Sequence, residues 1–177
     1  MSIVRTDIRI STDLHREPGL LLGLLDQTTR EWRHEMGDVP DETVIWQPFS
    51  NGHSIGAIIL HVAHVEAMWI KMVGAGRPLS REQVETLFSE STHADGVQWP
   101  VPPAEPLSWY YDVADSVRAQ TREIVSGFSD LEYLASHEYF PDEEFTLRWL
   151  LGHVISHDAY HGGQAVLLSL IRASSPG

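Results

Sequence analysis

Residues Thr146 to Ile171 read as one long helix, and the pair His157 and His161 at its centre constrains the chain more than any other feature. Side chains four apart on a helix project from the same face, so both ring nitrogens can reach one ion from a single rigid element. That spacing is the motif of a helical metal site.

The run His157-Asp158-Ala159-Tyr160-His161 can also be read as H-E-x-x-H with Asp158 in the glutamate position. A helical zincin takes its third ligand downstream, and residues 162–177 contain no His, Asp or Glu, which argues against a protease. A third ligand has to come from upstream. The best candidate segment runs from Ser54 to Trp69, where His61 shares a helical stripe with Ala57, Ile58, Val65, Met68 and Met72 and so faces a bundle interior. His64 lies on the flank with Leu60, Ala67 and Lys71 and ranks second.

Ser54-Ile55-Gly56 with His61, followed by Leu150-Leu151-Gly152-His153 and His157-x-x-x-His161-Gly162-Gly163-Gln164, resembles the DinB/YfiT-like superfamily of bacterial four-helix-bundle metalloproteins. The likeness covers nearly the whole chain. It implies an all-α four-helix bundle with a long crossover between helices two and three, and a metal site formed by His61, His157 and His161. It further implies a divalent metal ion, Zn²⁺ or Ni²⁺, a low-molecular-weight thiol such as bacillithiol or mycothiol as co-substrate, S-transferase, hydrolase-like or isomerase activity, and a homodimer. The family commonly carries an arginine directly after the last histidine. Gly162 stands there in this chain, which leaves the metal ligands intact and removes that arginine's contact with an anion or substrate.

Length and composition are those of one domain, residues 1–177, able to bury a substantial core, with 42% hydrophobic and 21% charged residues. A net charge of −13 with only 12 Lys and Arg argues against nucleic-acid binding, which needs clustered cations. The absence of cysteine excludes disulfides, thiolate ligands and a catalytic Cys. The N-terminal residues lack the pattern of a signal peptide, and no uninterrupted apolar run reaches ~18 residues, so the expectation is a cytoplasmic protein acting on small molecules and not on a membrane.

Taken in order, a polar lead-in holding Pro18 precedes a first helix from about Leu20 to Gly37. A connector from Asp38 to His53 contains Pro40, Pro48 and Asn51-Gly52, with Trp46 expected against the bundle end. Ser54 is the expected cap of helix two, which ends near Gly74-Ala75-Gly76. The crossover from Arg77 to Pro106 has a capping-box start at Ser80-x-x-Gln83 and a Trp99-Pro100-Val101-Pro102-Pro103 run that cannot be regular helix. Helix three is expected over Leu107 to Phe128, then a loop from Asp130 to Glu144 with a short extended pair, then helix four with Thr146 as cap. One long crossover implies parallel middle helices and lets helices two and four approach each other.

Around the proposed ligands, His153 is about 12 Å from His161 along the helix and reads as a packing or supporting residue. Asp158 is a candidate to orient a histidine, and Gln164 to hold a loop carbonyl. Gly162 and Gly163 fit close approach of helix two or of a ligand, or a tight helix crossing. Trp46, Trp69, Trp109 and Trp149 read as core and bundle-end residues, and Met68 and Met72 as packing. Three functions remain: a metal enzyme with an open coordination position and no assigned general base, a non-catalytic metal-stabilised or dimerisation module, and a bundle whose histidines only pack.

Overall fold

Helix α1 (Arg16–Met36) begins a turn before the expected Leu20, because Pro18 sits in the first turn, where its missing N–H has no intrahelical acceptor to lose. It stops at Gly37, whose φ of 65° suits glycine. The computed structural model of the chain describes residues 7–10, 14–88 and 99–174. A short helix, α2 (Asp41–Val44), lies within the connector. Ser54 then caps α3 (Ile55–Glu66), its hydroxyl accepting from the Ala57 N–H at 3.3 Å, and the helix continues as π-helical turns over Ala67–Gly74.

The crossover opens with α4 (Arg81–Gln83) and a π-helical turn (Val84–Phe88), and both hydrogen bonds of the expected Ser80/Gln83 capping box form. Part of the crossover, residues 89–98, falls outside the described residues. Helix α5 (Leu107–Ser126) follows, then the antiparallel pair β1 (Leu134–Ala135) and β2 (Phe145–Thr146), and finally α6 (Leu147–Ser174). The second strand lies just beyond the expected loop. Thr146 serves both elements, since its hydroxyl accepts from the Trp149 N–H at 3.1 Å.

Cross-helix contacts give the direction of each bundle helix. Gly56 lies beside Tyr110, Glu66 pairs with Arg118 and Lys71 bonds Gln120, so α3 and α5 run parallel. Glu17 pairs with Arg148, and Thr29 bonds Asp158, so α1 and α6 also run parallel. His61 meets His157, while Gly74 meets Leu150, which makes α3 and α6 antiparallel. The result is an all-α four-helix bundle with parallel middle helices and the long crossover between them, as the sequence pattern implies.

Two glycines set helix spacing. A Cβ on Gly56 would lie 2.6 Å from the Tyr110 ring, and one on Gly162 would overlap the Trp32 indole of α1. The close approach at Gly162 is therefore to helix one, not helix two, and among the described residues no atom lies within 4 Å of where a Cβ on Gly163 would be. Ile55–Gly74 is long and apolar enough to cross a membrane by length and composition, despite the polar residues that interrupt it, but 78% of its most apolar window is buried in the bundle. It has the burial of a core helix.

Candidate metal centre

Helix α3 presents His61 and α6 presents His157 and His161, one turn apart, into the seam where the two helices meet. The Nε2 atoms of His61 and His157 are 3.2 Å apart, and one ring nitrogen from each of the three residues lies within 4.8 Å of the others. Ring centroids are separated by 4.8 Å for His61 and His157, 4.9 Å for His61 and His161, and 4.4 Å for His157 and His161.

Burial and the neighbouring imidazoles disfavour protonation throughout. His61 and His157 are each pushed from 6.5 down to about 3, chiefly by burial and then by the other histidines. Burial lowers His161 as well, against its hydrogen bond to the Gln164 amide oxygen, which acts in the opposite direction. Neutral imidazole is the form that donates a lone pair to a cation.

The side chain of Gln164 has a defined task in this arrangement. Its Oε1 lies 2.7 Å from His161 Nδ1 and accepts the proton there, which leaves the Nε2 lone pair facing the seam. The i,i+3 spacing carried that signal, and among the described residues the partner of the Gln164 side chain is His161, not a loop carbonyl. His157 Nδ1, by contrast, is buried with no hydrogen-bond partner among the described residues.

The three residues fit a divalent ion. Zn–N distances of ~2.0–2.1 Å in tetrahedral geometry put ligand nitrogens ~3.3 Å apart, close to the 3.2 Å between His61 and His157 Nε2. Three borderline nitrogen donors suit Zn²⁺, Ni²⁺ and their neighbours, whereas Met68 packs against the apolar cluster around Trp69 and Val73.

Other expected residues take different places. His64 is buried, its pKa lowered to about 4, and it lies outside the triad. His153 stacks on Trp149 at 4.9 Å and 12° and stands 5.9 Å from His157, a packing role beside a ligand. Asp158 accepts from Thr29 and Trp32 on α1, so it orients no histidine, and Glu66 turns to Arg118. Trp149, read as a core or bundle-end residue, is 45% exposed and packs on Trp69 and Phe145, and Trp46 lies half-buried with the Arg172 guanidinium 5.4 Å over its ring.

Two residues beside the centre carried no local signal. Trp99, 5% exposed, packs 5.0 Å from His61 and 5.9 Å from His161, and His53 packs against it at 4.0 Å. The Trp99 N–H donates to Asn51 O at 2.9 Å, and the Gln47 amide donates to Trp99 O at 3.0 Å and to Gly52 O at 2.7 Å. These bonds fasten the end of the crossover to the loop before α3. One side of the centre is thereby closed to water.

A four-helix bundle with this helix order and a histidine triad between its second and fourth long helices is the architecture of the DinB/YfiT-like superfamily. Residues 20–173 match the model of the mycothiol-S-transferase family, a member of that superfamily, and the chain belongs to this family. The crystal structure of a conserved protein from Enterococcus faecalis is similar in fold, with a TM-score of 0.66 and 17% identity over 88% of this chain and 96% of that one. A search of curated proteins gives no match.

Proposed function

We propose that this protein binds a divalent metal through His61, His157 and His161 and transfers a low-molecular-weight thiol to an electrophilic small molecule. The observation that carries the reading is the convergence of three neutral imidazoles from two helices, with Gln164 holding the proton of His161 on Nδ1. A three-imidazole ion leaves a coordination position open and supplies Lewis acidity, which lowers the pKa of a thiol or water placed there. Family membership points to a thiol as the group placed there.

The chain's own residues do the rest. Burial keeps the imidazoles unprotonated near neutrality, and Trp99 shields the His61 and His161 rings from water. His53, packed against Trp99, is a titratable group outside the triad, and the general base is left unassigned. The partners are small molecules met in the cytoplasm, where such thiols stay reduced, and a chain of −13 repels nucleic acid.

Burial of the centre beneath Trp99 also favours a second reading, in which the ion only ties α3 to α6. Metal analysis of tag-free protein, with a His157→Ala/His161→Ala variant, tests both. Near-stoichiometric metal that is lost in the folded variant supports the site; no metal in either, after incubation with Zn²⁺ or Ni²⁺, sinks both readings. Thiol conjugation by the metal-loaded protein alone then separates the enzyme from the structural module.

A further inference from the structure

The triad is covered unevenly. His161 is 8% exposed, while His61 and His157 are half-buried, and the Trp99 indole lies beside the His61 and His161 rings at 5.0 and 5.9 Å. An apolar ring therefore forms one wall of the space around the converging nitrogens.

The segment that carries this wall is anchored at both ends. At its start, the Gln47 amide donates to Gly52 O at 2.7 Å, to Trp99 O at 3.0 Å and to Pro100 O at 3.4 Å, and the Trp99 N–H donates to Asn51 O at 2.9 Å. At its end, the Tyr110 hydroxyl donates to Pro103 O. Pro100, Pro102 and Pro103 have no N–H to offer a neighbour and fix the torsions between the anchors, so this stretch is held through its carbonyls. The position of the indole is thereby set before any ligand arrives.

We propose that Trp99 is the specificity-determining residue that favours a thiol over water at the triad, and that Gln47 is the residue that positions it. This rests on the thiol-transfer reading of the same site. Either nucleophile can take the open position of a three-imidazole ion, and the two differ in the surroundings that suit them. Water has two hydrogens to donate, an indole face serves them poorly, and polar groups left unsatisfied in a buried place are costly. Sulfur is polarisable and gains from an aromatic ring ~5 Å away. The exchange balances as one water leaving and one proton passing from the thiol to solvent.

The test uses the full tag-free chain loaded with Co²⁺, whose absorption reports its ligands, and mercaptoethanol as the thiol probe. The wild type is expected to gain a sulfur-to-cobalt band. Trp99→Ala and Gln47→Leu should keep their metal and their circular dichroism, bind mercaptoethanol about tenfold more weakly and hydrolyse nitrophenyl acetate faster. Trp99→Phe keeps an aromatic wall and should hold thiol affinity near the wild-type level. General loosening of the fold would lower both readouts, not move them in opposite directions. Should Trp99→Ala fail to fold, Gln47→Leu decides alone. Metal-loaded variants with unchanged thiol affinity, or with thiol affinity and hydrolysis falling together, overturn this inference alone. A metal-loaded wild type without the sulfur band overturns the thiol-transfer reading and this inference with it.

Discussion

His157 and Asp158 are adjacent in sequence, yet α6 places them in two different buried clusters whose chemistry is opposite. On one side, three neutral imidazoles converge, and His157 Nδ1 has no hydrogen-bond partner among the described residues. On the other, Arg118 grips Glu66 through two bonds of 2.8 and 2.9 Å, reaches Asp26 at 3.1 Å, and donates to Thr29, whose hydroxyl passes a bond on to Asp158. Arg122 completes Asp26 at 2.6 Å. Burial outweighs the pull of Arg118 and raises Asp158 to about 6.

The ionic cluster draws one member or more from each of α1, α3, α5 and α6 and contains its own cations. It needs no ligand, and its work is to fix the four helices relative to one another. The imidazole cluster joins only α3 and α6, and its lone pairs face a common point. A group of donors without an internal cation is the one that calls for an external one.

The largest expected effect that separates the clusters is on the ionic side. Arg118→Met leaves Glu66 and Asp158 without their buried cation and is expected to cost about 3–5 kcal/mol in chemical denaturation. Metal content per folded molecule should not change. A variant that lost metal while keeping its stability would show that the two clusters are not separate.

Next in size is metal linkage. Zinc at about a thousand times its Kd should stabilise the wild type by about 4 kcal/mol, read as a rise in Tm. The His157→Ala/His161→Ala protein should show no rise. The metal-free protein carries a pH signature of the same cluster: His61 and His157 titrate near 3 when folded and near 6.5 when unfolded, so the unfolded chain binds more protons in that window. Stability from these rings is full above pH 6.5 and falls as the pH drops toward 3. Denaturation midpoints across that range that do not fall would contradict the burial argument.

A finer test concerns Gln164. Gln164→Ala removes the acceptor that holds the proton on His161 Nδ1 and should weaken metal binding about 10–100-fold in a competition titration with a chromophoric chelator. Little change in thermal stability without metal is expected. Smallest of the set is Ser54→Ala, which deletes the cap of the helix that carries His61 and should cost about 1 kcal/mol, with metal affinity nearly unchanged. Equal losses of affinity in the two variants would mean that Gln164 acts only through helix stability.

Much of the bundle was legible because period and punctuation are local properties. The stripes of α3 and α5, the Ser54 cap and the Ser80/Gln83 capping box are each written within a few residues, and all of them form. Harder to read was anything set by what lies across a helix. Trp99 sits in a proline-rich stretch with no period, and only the bonds from Gln47 and to Asn51 bring it over the triad. Asp158 was a candidate to orient a histidine although consecutive helical residues point about 100° apart; what local period could not show is its partner, and it turns to Thr29 and Trp32 on α1.

The amino-acid order alone determined that His157 and His161 share one face, since a helical period places residues four apart on the same side. It also determined that the middle helices run parallel, since only a long crossover can return the chain to begin a helix in the same direction. The period of α3 already ranked His61 above His64; tertiary structure decided that His61 meets the pair at 3.2 Å and that Gln164 supports His161. Those choices depend on the rotation and axial offset of α3 against α6. Contacts such as Tyr110 on Gly56 and Trp32 on Gly162 set that spacing across the bundle, and no local period encodes them.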